Sequence, residues 1–163
     1  MNVVPTLLRL EVLSPKRLVG HRRVMSLAAN TTPELWRGFM QQRATLPLGG
    51  ERYSLQLYPR NYFACFSIET LFEKWAAVAV ADSTFAAPTG FETLDLVGGL
   101  YAVFLHQGPA SQGAATFRYI FETWLPSSDY VLDDRPHFEL LGDKYRNDAP
   151  DSEEEIWLPI KPR

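Results

Sequence analysis

Residues 135–161 read RPHFELLGDKYRNDAPDSEEEIWLPIK, and the reading of this stretch decides the fold. Two runs of alternating side chains, HFELL and EIWLPIK, flank a polar, acidic segment, the pattern of two strands joined as a hairpin. In the second run Ile156, Leu158 and Ile160 share one face, which leaves Glu155, Trp157 and Pro159 on the other. In the first run Phe138 and Leu140 are the apolar pair, and Glu139 stands between them. If helices cover the apolar face of both strands, Glu139 emerges on the face of Trp157.

The elements before this hairpin supply the helix. GGLYAVFLHQG, residues 98–108, reads as a strand, and residues 114–125 read as a helix ending at Leu125-Pro126. Phe117, Ile120, Phe121 and Trp124 recur at helical spacing and make a core-facing stripe. The same order occurs once more upstream. An apolar stretch from Leu18 to Met25 precedes a helix start at Thr31, with Pro33 in the first turn and Glu34 at its positive end. Leu35 and Phe39, with Trp36 and Met40 beside them, give this helix its apolar face, and it stops by Leu46-Pro47. Two extended runs follow, Tyr53 to Tyr58 and Phe72 to Ala81. Leu55 and Leu57 oppose Ser54, Gln56 and Tyr58, while Ala76, Val78 and Val80 oppose Trp75, Ala77 and Ala79. Asp82 to Glu92 is then a connector.

The expectation is one α+β domain over residues 1–163. It is a tandem pseudo-two-fold repeat of strand-helix-strand-strand units, about 5–82 and about 91–163, forming an antiparallel sheet with helices on one face and a central cleft. The helix-free faces of the two units would bring Trp75, Tyr58, Glu139 and Trp157 into one groove. A carboxylate among aromatic rings suits a lipophilic cation, because ring faces attract positive charge and apolar walls weaken screening. The same spacing also fits an acid solvated on the exposed side of a half-buried strand, and the residues alone leave both readings open.

Composition narrows the classes. Apolar residues make up 46% and charged residues 21% of 163 residues, with a net charge of -3, as in a soluble globular chain without a basic nucleic-acid surface. No apolar run reaches the length of a membrane span, and the start of the chain does not read as a secretory signal, so the expected location is cytoplasmic. Cys65, the single cysteine, excludes a disulfide framework and reads as a buried thiol. His21, His106 and His137 lack ligand spacing, so no metal site is expected, and no sequence feature calls for a cofactor. No G-x-S-x-G elbow is present, and the acidic turn from Asp148 to Glu155 lacks the alternating oxygen ligands of a calcium loop.

GGLYAVFLHQGP, FRYIFETWLP, RPHFELLG and EEIWLPIK, with SPKRLVGHRR and FEKWAAVAV upstream, together resemble the effector-binding domain of AraC-type and MerR-type regulators, the GyrI-like family. The resemblance covers nearly the whole chain. It implies a cleft for small molecules in which a glutamate, matched here by Glu139, meets cationic drugs among aromatic residues. Trp157, Trp75 and Tyr58 are then the expected walls, with Tyr101 and Phe104 as further candidates. The chain lacks the helix-turn-helix of the regulators, so no direct DNA binding is expected, and a monomer is the expected state. Two other activities of the family stay open. One is hydrolysis of the cyclopropanoid cyclopropyl type, with Glu139, Tyr58 and Tyr101 as the catalytic set. The other is binding of a protein partner, as by a gyrase inhibitor.

Overall fold

Nine strands, all paired antiparallel, organise the computed structural model, which describes residues 4–46, 51–146 and 149–163. In chain order the elements are β1 (Thr6–Leu13), β2 (Lys16–Met25), α1 (Thr32–Gln42), β3 (Arg52–Leu57), β4 (Phe72–Val80), β5 (Glu92–Leu96), β6 (Gly99–Gln107), α2 (Gly113–Tyr119), β7 (Tyr130–Leu132), β8 (His137–Leu141) and β9 (Glu153–Pro162). The sheet order is β1-β6-β9-β8-β3-β4-β2-β5, and β7 adds to the outer end of β9. No helix among the described residues is long and apolar enough to cross a membrane.

The helices follow from local signals. α1 begins after Thr31, with Pro33 in its first turn, and buries Leu35 and Phe39 as the spacing requires. The Asn30 side chain, rather than Thr31, caps it by accepting from the Thr32 amide at 3.0 Å. α2 runs on through a π turn, Ile120–Trp124, and a last helical turn, Leu125–Ser127, so Pro126 lies inside this segment rather than after it. Proline is tolerated there because it directly follows the π turn, where the regular helical ladder is already interrupted. Pro47 and Asp148, read as a helix stop and the start of the acidic turn, lie outside the described residues.

Three strands were not expected from the sequence: β1, β5 and the short β7, which sets Tyr130 opposite Pro162. β1 leads into β2 yet pairs with β6, Thr6 opposite Leu105 and Leu13 opposite Gly99. β5 leads into β6 yet pairs with β2, Lys16 opposite Leu96. Each leading strand therefore joins the other group of strands, and the connector reading of residue 92 is corrected, since Glu92 opens β5. The two crossings touch. A Cβ on Gly98 would collide with the carbonyl oxygen of Leu13, and Gly99 adopts φ +139° with the Arg135 guanidinium against it, so both positions require glycine.

Both faces of the sheet are buried. On the helix side, α1 packs on Val19, Met25, Phe72, Ala76 and Val78 of β2 and β4. Ile120 and its neighbours pack on Ala102, Phe104, Ile156, Leu158 and Ile160 of β6 and β9. The other, inner face holds one cluster drawn from eight strands, including Leu18, Leu55, Trp75, Tyr101, Phe138, Leu140 and Trp157, with no helix in it. The sheet curves around these side chains until its two edges, represented by Leu13 and Leu96, share the cluster.

This curvature corrects the expected faces. Ile156, Leu158 and Ile160 do meet a helix, but Phe138 pairs directly with Trp157 and stacks on it at 5.1 Å, so both point inward. Glu139 is opposite Ile156 and therefore lies on the helix side. Alternation tells which residues share a face; with both faces apolar, it does not tell which face meets the helix. Cys65 is also corrected: it is exposed, carried outward by the β3–β4 connection.

Candidate functional site

The helices stand apart, and the middle strands β3 and β8 form the floor between them. On the helix side of this floor, Ser54 lies opposite Glu139 and Gln56 opposite His137. Ala76, Ser54, Glu139 and Ile156 fall in one row across β4, β3, β8 and β9. The two small residues beside the carboxylate keep side-chain bulk away from it on the β3 side. Gln56 Nε2 donates to Glu139 Oε2 at 3.0 Å and fixes its orientation.

Two further charges share the floor. Lys74, on the far side of Gln56, is only 6% exposed. Glu154 sits two residues before Ile156 on β9 and faces the same way. Burial pushes the Lys74 ammonium below its ordinary range, while Glu139 and Glu154 pull it back up. Burial, reinforced by the charge of Glu139 and opposed by Lys74, pushes the Glu154 carboxyl up to about 7.

Aromatic rings close one end. Tyr58 meets His137 edge-on at 5.0 Å, and Phe63, from the connection after β3, stacks on His137 at 5.2 Å and on Phe121 at 5.0 Å. Phe63 thus reaches from one helix-covered group to the other. Burial, with the charge of Glu139 and then Tyr62 behind it, holds the Tyr58 hydroxyl well above its usual range. Burial and then Arg135 push His137 down to about 3. A neutral ring there adds no positive charge to a site built around a carboxylate.

Glu154 gives a pH prediction. Between about 4.5 and 7 its carboxyl holds a proton in the fold that the unfolded chain has released. The raised pKa therefore stabilises the fold fully at low pH, and that contribution is lost as pH rises through 7. Glu154→Gln is expected to leave urea stability unchanged near pH 4.5 and to raise it by about 1–2 kcal/mol at pH 8, after allowance for partial exposure. An equal change at both pH values contradicts the assignment.

Of the residues chosen from the sequence, the structure brings together only Glu139 and Tyr58. Trp75, Trp157 and Tyr101 point into the inner cluster, across the sheet from Glu139. There the Tyr101 hydroxyl donates to the Pro136 carbonyl at 2.8 Å, with the Arg135 guanidinium 4.7 Å from its ring centre. Phe104 is on the helix side but fully buried beneath Trp124, at 4.9 Å. The aromatic cluster at the end of the floor that holds Glu139 is instead that of Tyr58, Phe63, Phe121 and His137. Gln56, Lys74, His137, Glu154 and Phe63 were missed. Lys74 carried a related signal, a charge on the face of Phe72, Ala76 and Val78 in FEKWAAV.

Comparison with known structures follows the fold. SAV2435 bound to tetraphenylphosphonium superposes with a TM-score of 0.70 at 19% identity, over 94% of this chain and 93% of that one. The EcmrR C-terminal domain gives 0.70 at 11% identity, over 99% and 100%. An integron cassette protein from the mobile metagenome of Vibrio cholerae gives 0.67 at 14% identity, over 99% and 100%. No curated protein sequence matches significantly. The sequence profile of the GyrI-like small molecule binding domain matches residues 8–161, nearly end to end, and the chain belongs to that family.

Proposed function

We propose that the protein captures amphipathic, cationic small molecules on the floor between α1 and α2, with Glu139 as the charge partner. The observation that carries this reading is the placement of Glu139. Its carboxylate is partly buried, oriented by Gln56 at 3.0 Å, within electrostatic reach of Tyr58, and in no ion pair among the described residues. A carboxylate in such surroundings gains from a cation that brings its own apolar body, because the pair forms where water screens poorly. Tyr58, Phe63 and Phe121 supply ring faces for that body. SAV2435, whose structure holds tetraphenylphosphonium, lends the reading support through a shared fold. In this proposal the floor is also the seam of two pseudo-two-fold units, β2-α1-β3-β4 and β6-α2-β8-β9, which exchange their leading strands.

Isothermal calorimetry with methyltriphenylphosphonium, and with triphenylphosphine oxide as its neutral counterpart, tests it. Wild type is expected to prefer the cation. Glu139→Gln should weaken the cation by about 1.5–3 kcal/mol, roughly 10- to 150-fold, and leave the neutral compound unchanged. Equal binding of the cation to both proteins removes Glu139 from the role.

A further inference from the structure

Resting on the reading above, we infer that Lys74 is a second recognition group, and that the preferred ligand carries an acidic group together with its cation. Lys74 is buried on the same floor as Glu139, with Gln56 between them: Lys74 is opposite Gln56, and Gln56 donates to Glu139. Among the described residues its ammonium has no hydrogen-bond acceptor and no carboxylate oxygen within ion-pair distance. An ammonium offers three donors, and those of Lys74, in a residue only 6% exposed, are left to the little solvent that reaches the floor. Glu139 and Glu154 act on it only through space.

The surrounding groups define what would complete it. Glu139 is engaged by Gln56 and, in the proposal, by the ligand's cation. His137 is uncharged, and the nearest side chains along β4 on this face are Phe72 and Ala76, which offer no acceptor. A carboxylate or other acidic oxygen on the ligand supplies the missing acceptors and a charge-assisted bond. Lys74 and Glu139 lie two strand spacings apart and two residues offset along the strands, about 12 Å at the backbone, with side chains long enough to converge. That span suits a zwitterion whose opposite charges are separated by an aromatic frame. A ligand that is only cationic leaves Lys74 unanswered and meets a floor whose negative charge Lys74 partly cancels.

Two dyes with one xanthylium core separate the cases: rhodamine 123, a methyl ester and a cation, and rhodamine 110, the free acid and a zwitterion. Fluorescence anisotropy titrations are made with wild type, Lys74→Met and Lys74→Arg. Wild type is expected to bind rhodamine 110 at least 10-fold more tightly than rhodamine 123. Lys74→Met should abolish that preference, and Lys74→Arg should keep most of it. If wild type binds the ester as tightly as the acid, or the preference survives in Lys74→Met, the role of Lys74 is overturned while the cation site stands. If neither dye binds wild type, the floor between the helices is not the ligand site, and both readings fall.

Discussion

Trp157→Ala is expected to cost the fold about 3–5 kcal/mol, the range for emptying a large aromatic site in a closed core. The indole is 4% exposed, stacks on Phe138 at 5.1 Å and meets Tyr101 edge-on at 5.8 Å. Its Nε1 donates to Glu155 at 3.0 Å, and the Arg9 guanidinium lies 5.4 Å from the ring centre while also pairing with Glu155 at 3.3 Å. Truncation removes the packing and the indole donor to Glu155, which keeps only Arg9. Guanidinium denaturation should show the midpoint falling with the slope unchanged. Ligand affinity per folded molecule should not change, because the sheet separates Trp157 from Glu139. A variant that keeps its stability within 1 kcal/mol but loses binding would restore Trp157 as a wall of the site.

Gly20→Ala should be at least as damaging as any single overpacking change, about 3 kcal/mol or more. Gly20 faces Ala77 across the β2–β4 ladder, and a Cβ at this position would overlap the Ala76 carbonyl oxygen together with Cα and Cβ of Ala77. These atoms belong to backbone and to the smallest side chain, so no rotamer change makes room. The strands must separate, and among the described residues β2 is the only strand β5 pairs with. Gly38→Ala is the matching control. Its Cβ would meet nothing within 4 Å on α1, so the exchange is expected to stabilise the protein by about 0.5–1 kcal/mol through helix propensity. Thermal melts of the two variants should move in opposite directions; an unchanged melt for Gly20→Ala contradicts the packing argument.

How much could be read in advance depended on how local the cause was. Pro33, Leu35 and Phe39 act within one helix, and their pattern gave α1 directly. The alternation of YSLQLY correctly separated Leu55 from Tyr58, because both strand neighbours bury the same face. Phe138 was misplaced because its orientation is set by pairing with Trp157 and by the curvature of the whole sheet, neither of which a five-residue run contains. β1 was passed over for a similar reason: TLLRLEVL alternates, yet Leu8, Leu10 and Val12 are 40%, 42% and 74% exposed, and the partner that makes it a strand is β6. Glu139 was legible as a charge among apolar neighbours. Gln56, which bonds to it, and Lys74 and Glu154, which share its floor, come from three other strands and are brought near it only after the sheet forms.

The crossing of the leading strands also sets an order of events during synthesis. β1 is made before the other described strands, yet the strand it joins among the described residues, β6, is made after β2 to β5. β6 in turn needs β9, which is made later still, for its other edge. The early part of the nascent chain can pair β2, β3 and β4, while the apolar β1 waits without a ladder. Closing such distant pairs demands chain entropy before any contact repays it, which slows folding and prolongs exposure of that strand. Refolding should therefore be limited by the arrival of the C-terminal hairpin, and a chain arrested before β9 would hold its first strand open to any other exposed sheet edge.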